Sequence, residues 1–279
     1  MYLGYNTNGL VHHEPVTAIR GLAEIGYRGV ALTIDHYLLS PSNPHWQRQL
    51  HEIRDVLDRL EMRCVIETGA RYLLDPWRKH EPSLISPTPA ERQRRMQFYR
   101  HALCCAVALN ADCLSIWSGI RHAEVAENDA WSWLTEGLKR LCDEAAAFGM
   151  PIGLEPEPGM FVDTVQRFDE LRERSPDIGC RLTLDVGHVI CQQEGKLSDI
   201  ITLHGSLLVN VHIEDMRRGL HEHLMFGEGE LDIAEVFTAL RQVRYGKGVY
   251  VELSRHSHLG FDAARRAYEA LRPFVEQAG

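Results

Sequence analysis

Short apolar segments alternate eight times with longer segments of helical periodicity along this 279-residue chain. The predicted strands cover residues 3–6, 29–34, 64–67, 113–117, 152–155, 181–185, 208–213 and 249–253. The predicted helices cover residues 15–25, 44–60, 89–109, 130–148, 165–174, 196–204, 233–243 and 262–277. In the fourth helix, Leu134, Leu138, Leu141 and Ala145 recur at the spacing of one helix face. Such a chain builds a parallel sheet covered by helices.

Two architectures satisfy that alternation, an open doubly wound sheet and a closed barrel. An open sheet that binds a nucleotide carries a glycine-rich phosphate turn after an early strand, and this chain has neither a G-x-G-x-x-G nor a G-K-[S/T] pattern. Successive strands lie roughly 35 residues apart, which is the spacing of a (β/α)8 barrel. We therefore predict a single (β/α)8 TIM-barrel domain over residues 1–279, with residues 71–88 forming a loop over one end.

The C-terminal ends of the predicted strands carry many polar side chains. The strand ends are Asn6, Asp35 with His36, Glu67, Trp117 with Ser118, Glu155, Asp185, His212 with Glu214, and Glu252. A strand buried on both faces is otherwise almost wholly apolar. Because barrel enzymes carry their chemistry at this end, the excess of polar residues predicts a functional site there.

Strands five to eight bring three carboxylates and one imidazole to the barrel mouth, from Glu155, Asp185, His212 and Glu252. Carboxylates packed together repel one another and raise each other's pKa, and a divalent cation removes that penalty. We predict that the four residues bind one divalent metal ion. The ligand set alone does not choose among Mn²⁺, Mg²⁺, Co²⁺ and Zn²⁺.

Glu157 is an alternative to Glu155, since both would point to the same side of an extended strand. Pro156 and Pro158 cannot donate the hydrogen bonds of a strand. The strand is therefore expected to end near Glu155, which we favour as the ligand.

The strand-end sequences Leu-Glu155-Pro, Leu-Asp185-Val-Gly-His188, Val-His212-Ile and Val-Glu252-Leu resemble the xylose isomerase-like barrel superfamily. That group includes sugar isomerases and epimerases, inosose dehydratases and endonuclease IV-type enzymes. The resemblance covers the whole chain as an eightfold pattern and is most specific between residues 152 and 255. It implies the metal ligands named above, with Glu155 and Glu252 as the acid–base pair.

The same resemblance implies residues that contact the substrate. His188 would do so, together with an arginine shortly after the ligand histidine, either Arg217 or Arg218. Glu67 and Trp117 end earlier strands and are expected to line the substrate site, where the ring of Trp117 can stack on a sugar.

The segment His221-Glu-His223 and the Gly-Glu-Gly turn after it resemble a zinc-binding segment of the endonuclease IV-type enzymes. By that resemblance, His221 and His223 form part of a second zinc position. Those enzymes also use histidines at earlier strand ends, where this chain has Glu67 and Trp117. His221 and His223 are therefore either ligands of a second zinc or loop residues that face the substrate. Elsewhere at the rim, Arg71, Arg255 and His256 are candidates for contacting a phosphate or carboxylate.

The net charge of −9 disfavours nucleic acid as a partner, because an acidic surface repels phosphate backbones. Seven cysteines without a C-x-x-C pair indicate free thiols and predict a cytoplasmic protein. The first residues lack the features of a signal peptide, and no apolar segment approaches the roughly 20 residues of a membrane span. The expected partner is a small polyhydroxylated substrate, and the resemblance allows a homodimer.

The predicted function is metal-dependent isomerisation or epimerisation of a sugar, sugar phosphate or similar polyol, by carboxylate-mediated proton transfer next to a carbonyl. Three alternatives stay open: a dehydratase acting from the same site, a phosphoesterase of endonuclease IV type, and a barrel that binds a metabolite without turnover. The acidic charge and the missing strand-end histidines argue against the phosphoesterase.

Overall fold

The structure, a computed structural model, describes residues 1–276. Its barrel strands are β1 (Tyr2–Asn6), β2 (Gly29–Thr33), β3 (Arg63–Glu67), β4 (Leu114–Trp117), β5 (Ile152–Glu155), β6 (Arg181–Asp185), β7 (Leu208–Ile213) and β10 (Gly248–Val251). Each is parallel to its neighbours, and β10 pairs with β1 to close the ring. Two further strands, β8 (Asp215–Arg217) and β9 (Leu220–Leu224), form an antiparallel hairpin after β7.

Helices cover the outside of the barrel. In the described part of the chain they are α1 (Pro15–Ile25), α2 (Trp46–Leu60), α3 (Pro89–Ala108), α4 (Glu127–Ala146), α5 (Val165–Arg174), α6 (Val186–Gln192), α7 (Leu197–His204), α8 (Ile233–Gln242) and α9 (Phe261–Glu276). The predicted TIM barrel is confirmed, and each predicted strand and helix is present with small shifts of its ends. The predicted last residue of the final helix, Gln277, lies outside the described residues.

Helix α6 and the β8–β9 hairpin were not predicted from the sequence. Helix α6 begins at the end of β6, where Asp185 is both the last strand residue and the N-cap. Seven residues are too few to show a helical period, and the strands of the hairpin are similarly short. Both elements belong to the barrel mouth, so the omission affects the site more than the scaffold.

Apolar side chains form two clusters on either side of the barrel wall. The main core lies between strands and helices and includes Leu138, Phe168 and Phe237, which are fully buried. A smaller cluster joins residues from or beside five strands, so it lies inside the barrel; its members are Ala31, Val65, Cys113, Val209 and Tyr250. This interior cluster fills the barrel beneath the polar strand ends.

All seven cysteines are free thiols, as predicted. Among residues 1–276, no helix is both long enough and apolar enough to cross a membrane.

Candidate metal centre

The four predicted metal ligands come together at the C-terminal mouth of the barrel. Glu155 ends β5, Asp185 ends β6, His212 lies in β7 and Glu252 directly follows β10. Each residue contributes one carboxylate oxygen or ring nitrogen, and these four atoms all lie within 4.8 Å of one another. The side chains therefore meet the geometric condition for binding a common ion.

The alternation of the strands turns these side chains inward. A side chain at position 153 would overlap Thr183 inside the barrel, so Gly153 and Thr183 both face the interior. Glu155 and Asp185 each follow an inward residue by two positions and face the same way. The absence of a side chain at Gly153 leaves the space that Thr183 occupies.

A β-bulge in β7 brings His212 to the same side. Val209 belongs to the interior cluster, and His212 lies three residues later, so strict alternation would turn it outward. Two consecutive residues of β6 pair with Leu208 and Asn210, which leaves Val209 as the extra residue of the bulge. The insertion restores the inward direction for Asn210 and His212.

The two ring nitrogens of His212 have different surroundings. Nδ1 lies 3.0 Å from Glu252 Oε2, 3.1 Å from Glu155 Oε1 and 4.0 Å from Asp185 Oδ2. Nε2 lies 2.9 Å from Glu67 Oε1. Nδ1 is therefore the atom that faces the other three candidate ligands, and Glu67 holds the opposite edge of the ring.

The two carboxylate oxygens of Asp185 also have different surroundings. Oδ1 accepts a hydrogen bond from the His188 N–H (2.9 Å) and so caps α6. Oδ2 is buried and has no hydrogen-bond partner within the described residues. An unpaired buried carboxylate oxygen is costly, and a cation among the four side chains would satisfy it. The donor set of three carboxylates and one imidazole fits Mn²⁺, Mg²⁺, Co²⁺ or Zn²⁺.

The charges at this centre shift the pKa values of its members. Burial raises the pKa of Glu155 to about 8, against the attraction of His212. Burial acts the same way on Glu252, but the neighbouring histidines, chiefly His212, hold its pKa below the ordinary value. Burial lowers the pKa of His212, whereas the surrounding carboxylates, chiefly Glu155, raise it well above the ordinary value. A protonated imidazole thus compensates part of the negative charge in the protein alone.

Glu155, and not Glu157, belongs to this four-residue group. Glu157 is displaced toward the neighbouring histidines, with Oε2 3.7 Å from His188 Nε2 and Oε1 3.8 Å from His221 Nε2. Burial raises the pKa of Glu157 well above its ordinary value, and the nearby Glu155 adds to the shift.

His221 and His223 form a second cluster with His188. His188 lies in α6, and the two other histidines lie in β9 of the hairpin, which packs against α6. A ring nitrogen of each lies within 4.8 Å of one on the other two. Burial lowers the pKa of His221 to about 4 and also lowers the pKa of His188. Neutral imidazoles are the form that binds a metal. The two residues predicted for a second position, His221 and His223, therefore meet the geometric condition for a metal site together with His188.

Glu214, named above only as a strand-end residue, also belongs to this site. Glu214 is fully buried, and neither of its carboxylate oxygens has a hydrogen-bond partner among residues 1–276. Burial raises its pKa well above the ordinary value, and the charge of Asp185 adds to the shift. It lies with Asp185 and His223 in a third group of converging ligand atoms. Its position directly before Asp215 at a strand end was the available signal.

A cavity of about 520 Å³ opens over the centre. Glu67 and Trp117 line it, as predicted for substrate-facing residues, and so do His221 and His223. His188 does not line this cavity; it is buried, and its Nδ1 lies 3.1 Å from the Pro156 carbonyl. His188 therefore lies beside the cavity without forming part of its wall, and its contact with substrate stays a prediction.

Arg217 and Arg218 also lie away from the cavity. Arg217 donates from Nε and Nη2 to the carbonyl of Glu228, and Arg218 pairs with Glu230 on the surface. The hairpin turn directs both toward the following loop, so neither forms part of the cavity wall. The cavity wall instead carries Arg71 and Arg255.

Comparison with known proteins agrees with this architecture. A family model described as xylose isomerase-like TIM barrel matches residues 19–276. The inosose dehydratase of Geobacillus thermodenitrificans is 27% identical over 167 residues, which are 53% of this chain and 56% of that protein. The chain thus matches about half the length of such curated relatives.

Solved structures of similar fold include sugar-modifying enzymes. The 3-keto-D-glucoside 4-epimerase of E. coli has a TM-score of 0.79 at 17% identity, covering 98% of this chain and 99% of that chain. The IOLI protein with a binding zinc atom has a TM-score of 0.78 at 15% identity, covering 100% and 99%. At these identities the likeness shows a shared fold.

Proposed function

The chain belongs to the xylose isomerase-like TIM barrel family, and from that premise we propose that it is a divalent-metal-dependent sugar isomerase or epimerase. The observation that carries the proposal is the convergence of Glu155, Asp185, His212 and Glu252 beneath an open cavity. The zinc atom of the IOLI protein and the epimerase activity named for the E. coli enzyme support it.

The four converging residues would hold the cation, and a bound divalent ion supplies Lewis-acid polarisation of a substrate carbonyl. Glu155 and Glu252 approach His212 Nδ1 from different strands, at 3.1 and 3.0 Å. Both carboxylates also line the cavity, so each can reach a substrate there. One removes a carbon-bound proton next to the carbonyl. In epimerisation the other returns a proton to the opposite face of the same carbon, and in isomerisation the proton is returned to the former carbonyl carbon.

Asn8 fixes the orientation of Glu252. Its Nδ2 donates to Glu252 Oε1 at 2.7 Å, while Oε2 faces His212. A general base must be held within reach of the proton that it removes. Asn8 is therefore a positioning residue for Glu252. The backbone N–H of Asn8 in turn donates a hydrogen bond to Asn6 Oδ1 at 3.1 Å.

Dehydration is the second candidate function, and the curated relatives named inosose dehydratases favour it. The same carboxylates would remove the carbon-bound proton, and a hydroxyl would then leave from the neighbouring carbon. The two reactions share their first step and differ in whether the product keeps its hydroxyl.

The test is to incubate the metal-loaded protein with ketoses, inososes and their phosphates in D₂O. We expect deuterium at the carbon next to the carbonyl, and Glu252→Gln should abolish its incorporation while retaining the metal. Glu230→Gln is a matched control, because Glu230 pairs with Arg218 on the surface. Mass spectrometry of the product separates isomerisation from loss of water. Full exchange by Glu252→Gln with a normal metal content would refute the assignment.

A further inference from the structure

The loop after β3 brings two cations to the cavity wall, Arg71 and Lys79. The His80 N–H donates to the Arg71 carbonyl at 2.6 Å, so the ends of the segment 71–80 lie together. Lys79, next to His80, thereby becomes a neighbour of Arg71, and both line the cavity. This arrangement is not visible in the sequence, where the two residues are separated by seven others.

The base of this loop is held in place by buried contacts. The His80 ring Nδ1 lies 2.8 Å from the Gly69 carbonyl, and the fully buried Arg95 donates to the His80 carbonyl at 2.9 Å. The His80 ring also packs edge-on against Trp117, with 4.6 Å between ring centroids. The position of the two cations therefore rests on a fixed scaffold.

Arg71 and Lys79 lack acidic partners. Within residues 1–276, neither has a carboxylate oxygen within 4.0 Å, and Arg71 makes one long hydrogen bond, from Nη2 to the Asn8 carbonyl at 3.4 Å. Arg78 on the same loop is different, because it pairs with Asp75 at 2.9 Å and Glu91 at 3.0 Å. In a chain of net charge −9, two unpaired cations on one wall are not explained by a generally basic surface.

The cations lie close to the catalytic end of the cavity. Asn8, whose carbonyl receives the Arg71 hydrogen bond, donates from its side chain to Glu252 at 2.7 Å. Asn8 thus links the guanidinium of Arg71 to the carboxylate that we assign to proton transfer. The cavity has an acidic floor, where we propose that the metal binds, and a cationic side wall. A negative group on the substrate would complement the side wall.

We propose that Arg71 and Lys79 form an oxyanion subsite, which binds a phosphate or carboxylate carried by the polyhydroxylated substrate. This inference rests on the proposed function for the identity of the remainder of the substrate. The planar fork of Arg71 can hold two oxygens of the group, and Lys79 adds a point charge. The active substrates are then sugar phosphates or sugar acids in preference to neutral sugars.

Calorimetric titration with inorganic phosphate tests the subsite on the metal-loaded protein without requiring turnover. We expect saturable binding, weakened about tenfold by Arg71→Met and by Lys79→Met, which corresponds to about 1.4 kcal/mol each. The matched control Arg78→Met should bind like the unmodified protein, because Arg78 is neutralised by its own partners. Arg71→Lys keeps the charge without the fork and should lie between the two.

Three results would overturn the subsite: no phosphate binding by the unmodified protein, equal binding by all variants, or equal weakening by Arg78→Met. Equal binding by all variants would mean that phosphate contacts the metal alone. Circular dichroism checks that each variant is folded, and Arg71→Lys substitutes for Arg71→Met if the latter is not.

A second titration with acetate distinguishes a preference for carboxylate from one for phosphate. The deuterium exchange assay separates this inference from the proposed function. Exchange of neutral sugars without phosphate binding would refute the subsite alone, and phosphate binding without exchange on any sugar would refute the proposed reaction alone.

Discussion

Glu67 Oε1 lies 2.9 Å from His212 Nε2, across the imidazole ring from the carboxylates of Glu155, Asp185 and Glu252. Glu67 also accepts a hydrogen bond from Asn210 Nδ2 at 2.8 Å. A carboxylate on the far nitrogen of a metal-binding histidine fixes the tautomer and the ring orientation. Glu67, which we expected to line the substrate site, therefore also directs His212 Nδ1 toward the other three candidate ligands.

The first prediction concerns this contact. Glu67→Gln should weaken metal binding by about 10- to 100-fold, the usual loss when such a partner is removed. Competition with a chelator of known affinity measures the change. Asp35→Asn is a suitable control, since Asp35 is also buried at a strand end and has no contact with His212. An unchanged affinity in Glu67→Gln would mean that Asn210 alone can orient the ring.

The second prediction is that metal affinity increases with pH up to about 8. The cation must displace a proton from Glu155, whose pKa is raised to about 8, and one from His212, whose pKa is also raised. Binding below that pH therefore releases protons. Calorimetry in two buffers of different ionisation enthalpy counts them, and we expect between one and two. A pH-independent affinity between pH 6 and 8 would contradict the assigned ligands.

The third prediction concerns stability without the metal. The folded pKa values of Glu155 and His212 lie above their unfolded values, so their stabilising contribution is present at low pH and is lost as pH rises through the folded values. Glu155 loses this contribution between its ordinary pKa of 4.5 and its folded value of about 8, so the midpoint of thermal unfolding of the metal-free protein should fall between about pH 5 and pH 8. The metal-loaded protein should show a smaller change. The Glu155→Gln variant, which has no proton to lose there, should show a flatter dependence when metal-free.

The sequence was sufficient to predict the scaffold and the convergence of four strand ends, because the period of each element determines which residues face inward. Interruptions of the inward–outward alternation within a strand could not be predicted. The bulge at Val209 turns His212 inward, and a strict alternation would not have given that direction. His212 was identified by its place at the strand end, and its inward direction followed only from the structure.

Loop geometry accounts for the remaining differences. Arg217 and Arg218 have the spacing of substrate ligands, but the β8–β9 hairpin turns them toward Glu228 and Glu230. Conversely, Arg71 and Lys79 become neighbours through a single backbone hydrogen bond of His80. Contacts of this kind depend on turn conformation and not on periodicity, so spacing along the chain does not reveal them.

The fourth prediction distinguishes the two roles of the histidine cluster. Magnesium and manganese prefer oxygen ligands, whereas zinc binds imidazole well. Elemental analysis should therefore find one equivalent per chain in protein loaded with Mg²⁺ or Mn²⁺. Protein loaded with Zn²⁺ should contain two equivalents per chain. His223→Ala should lose the second zinc and keep the first, because His223 is outside the four-residue group. A single zinc in the unmodified protein would assign His221 and His223 to the substrate instead.

The fifth prediction concerns Asp215, which organises the loop that follows the hairpin. Its buried carboxylate accepts hydrogen bonds from the N–H groups of Met216 (3.0 Å), Gly227 (2.8 Å) and Leu231 (2.8 Å). Asp215→Ala removes the acceptor for all three, and an unpaired buried N–H costs about 1–3 kcal/mol. We expect a loss of about 3 kcal/mol in the free energy of unfolding, measured by urea denaturation.

The consequences of Asp215→Ala should be local as well as global. Hydrogen exchange should accelerate in residues 216–231, which include His221 and His223, while the β5 and β6 strand ends remain protected. Binding of the first metal should persist, since none of its four ligands lies in that segment. Asp232→Ala is the matched control: it removes the cap of α8, a bond of 3.0 Å to the Glu235 N–H, and should cost about 1 kcal/mol without accelerating exchange in the hairpin. If both variants loosen the hairpin equally, Asp215 has no special role in holding it.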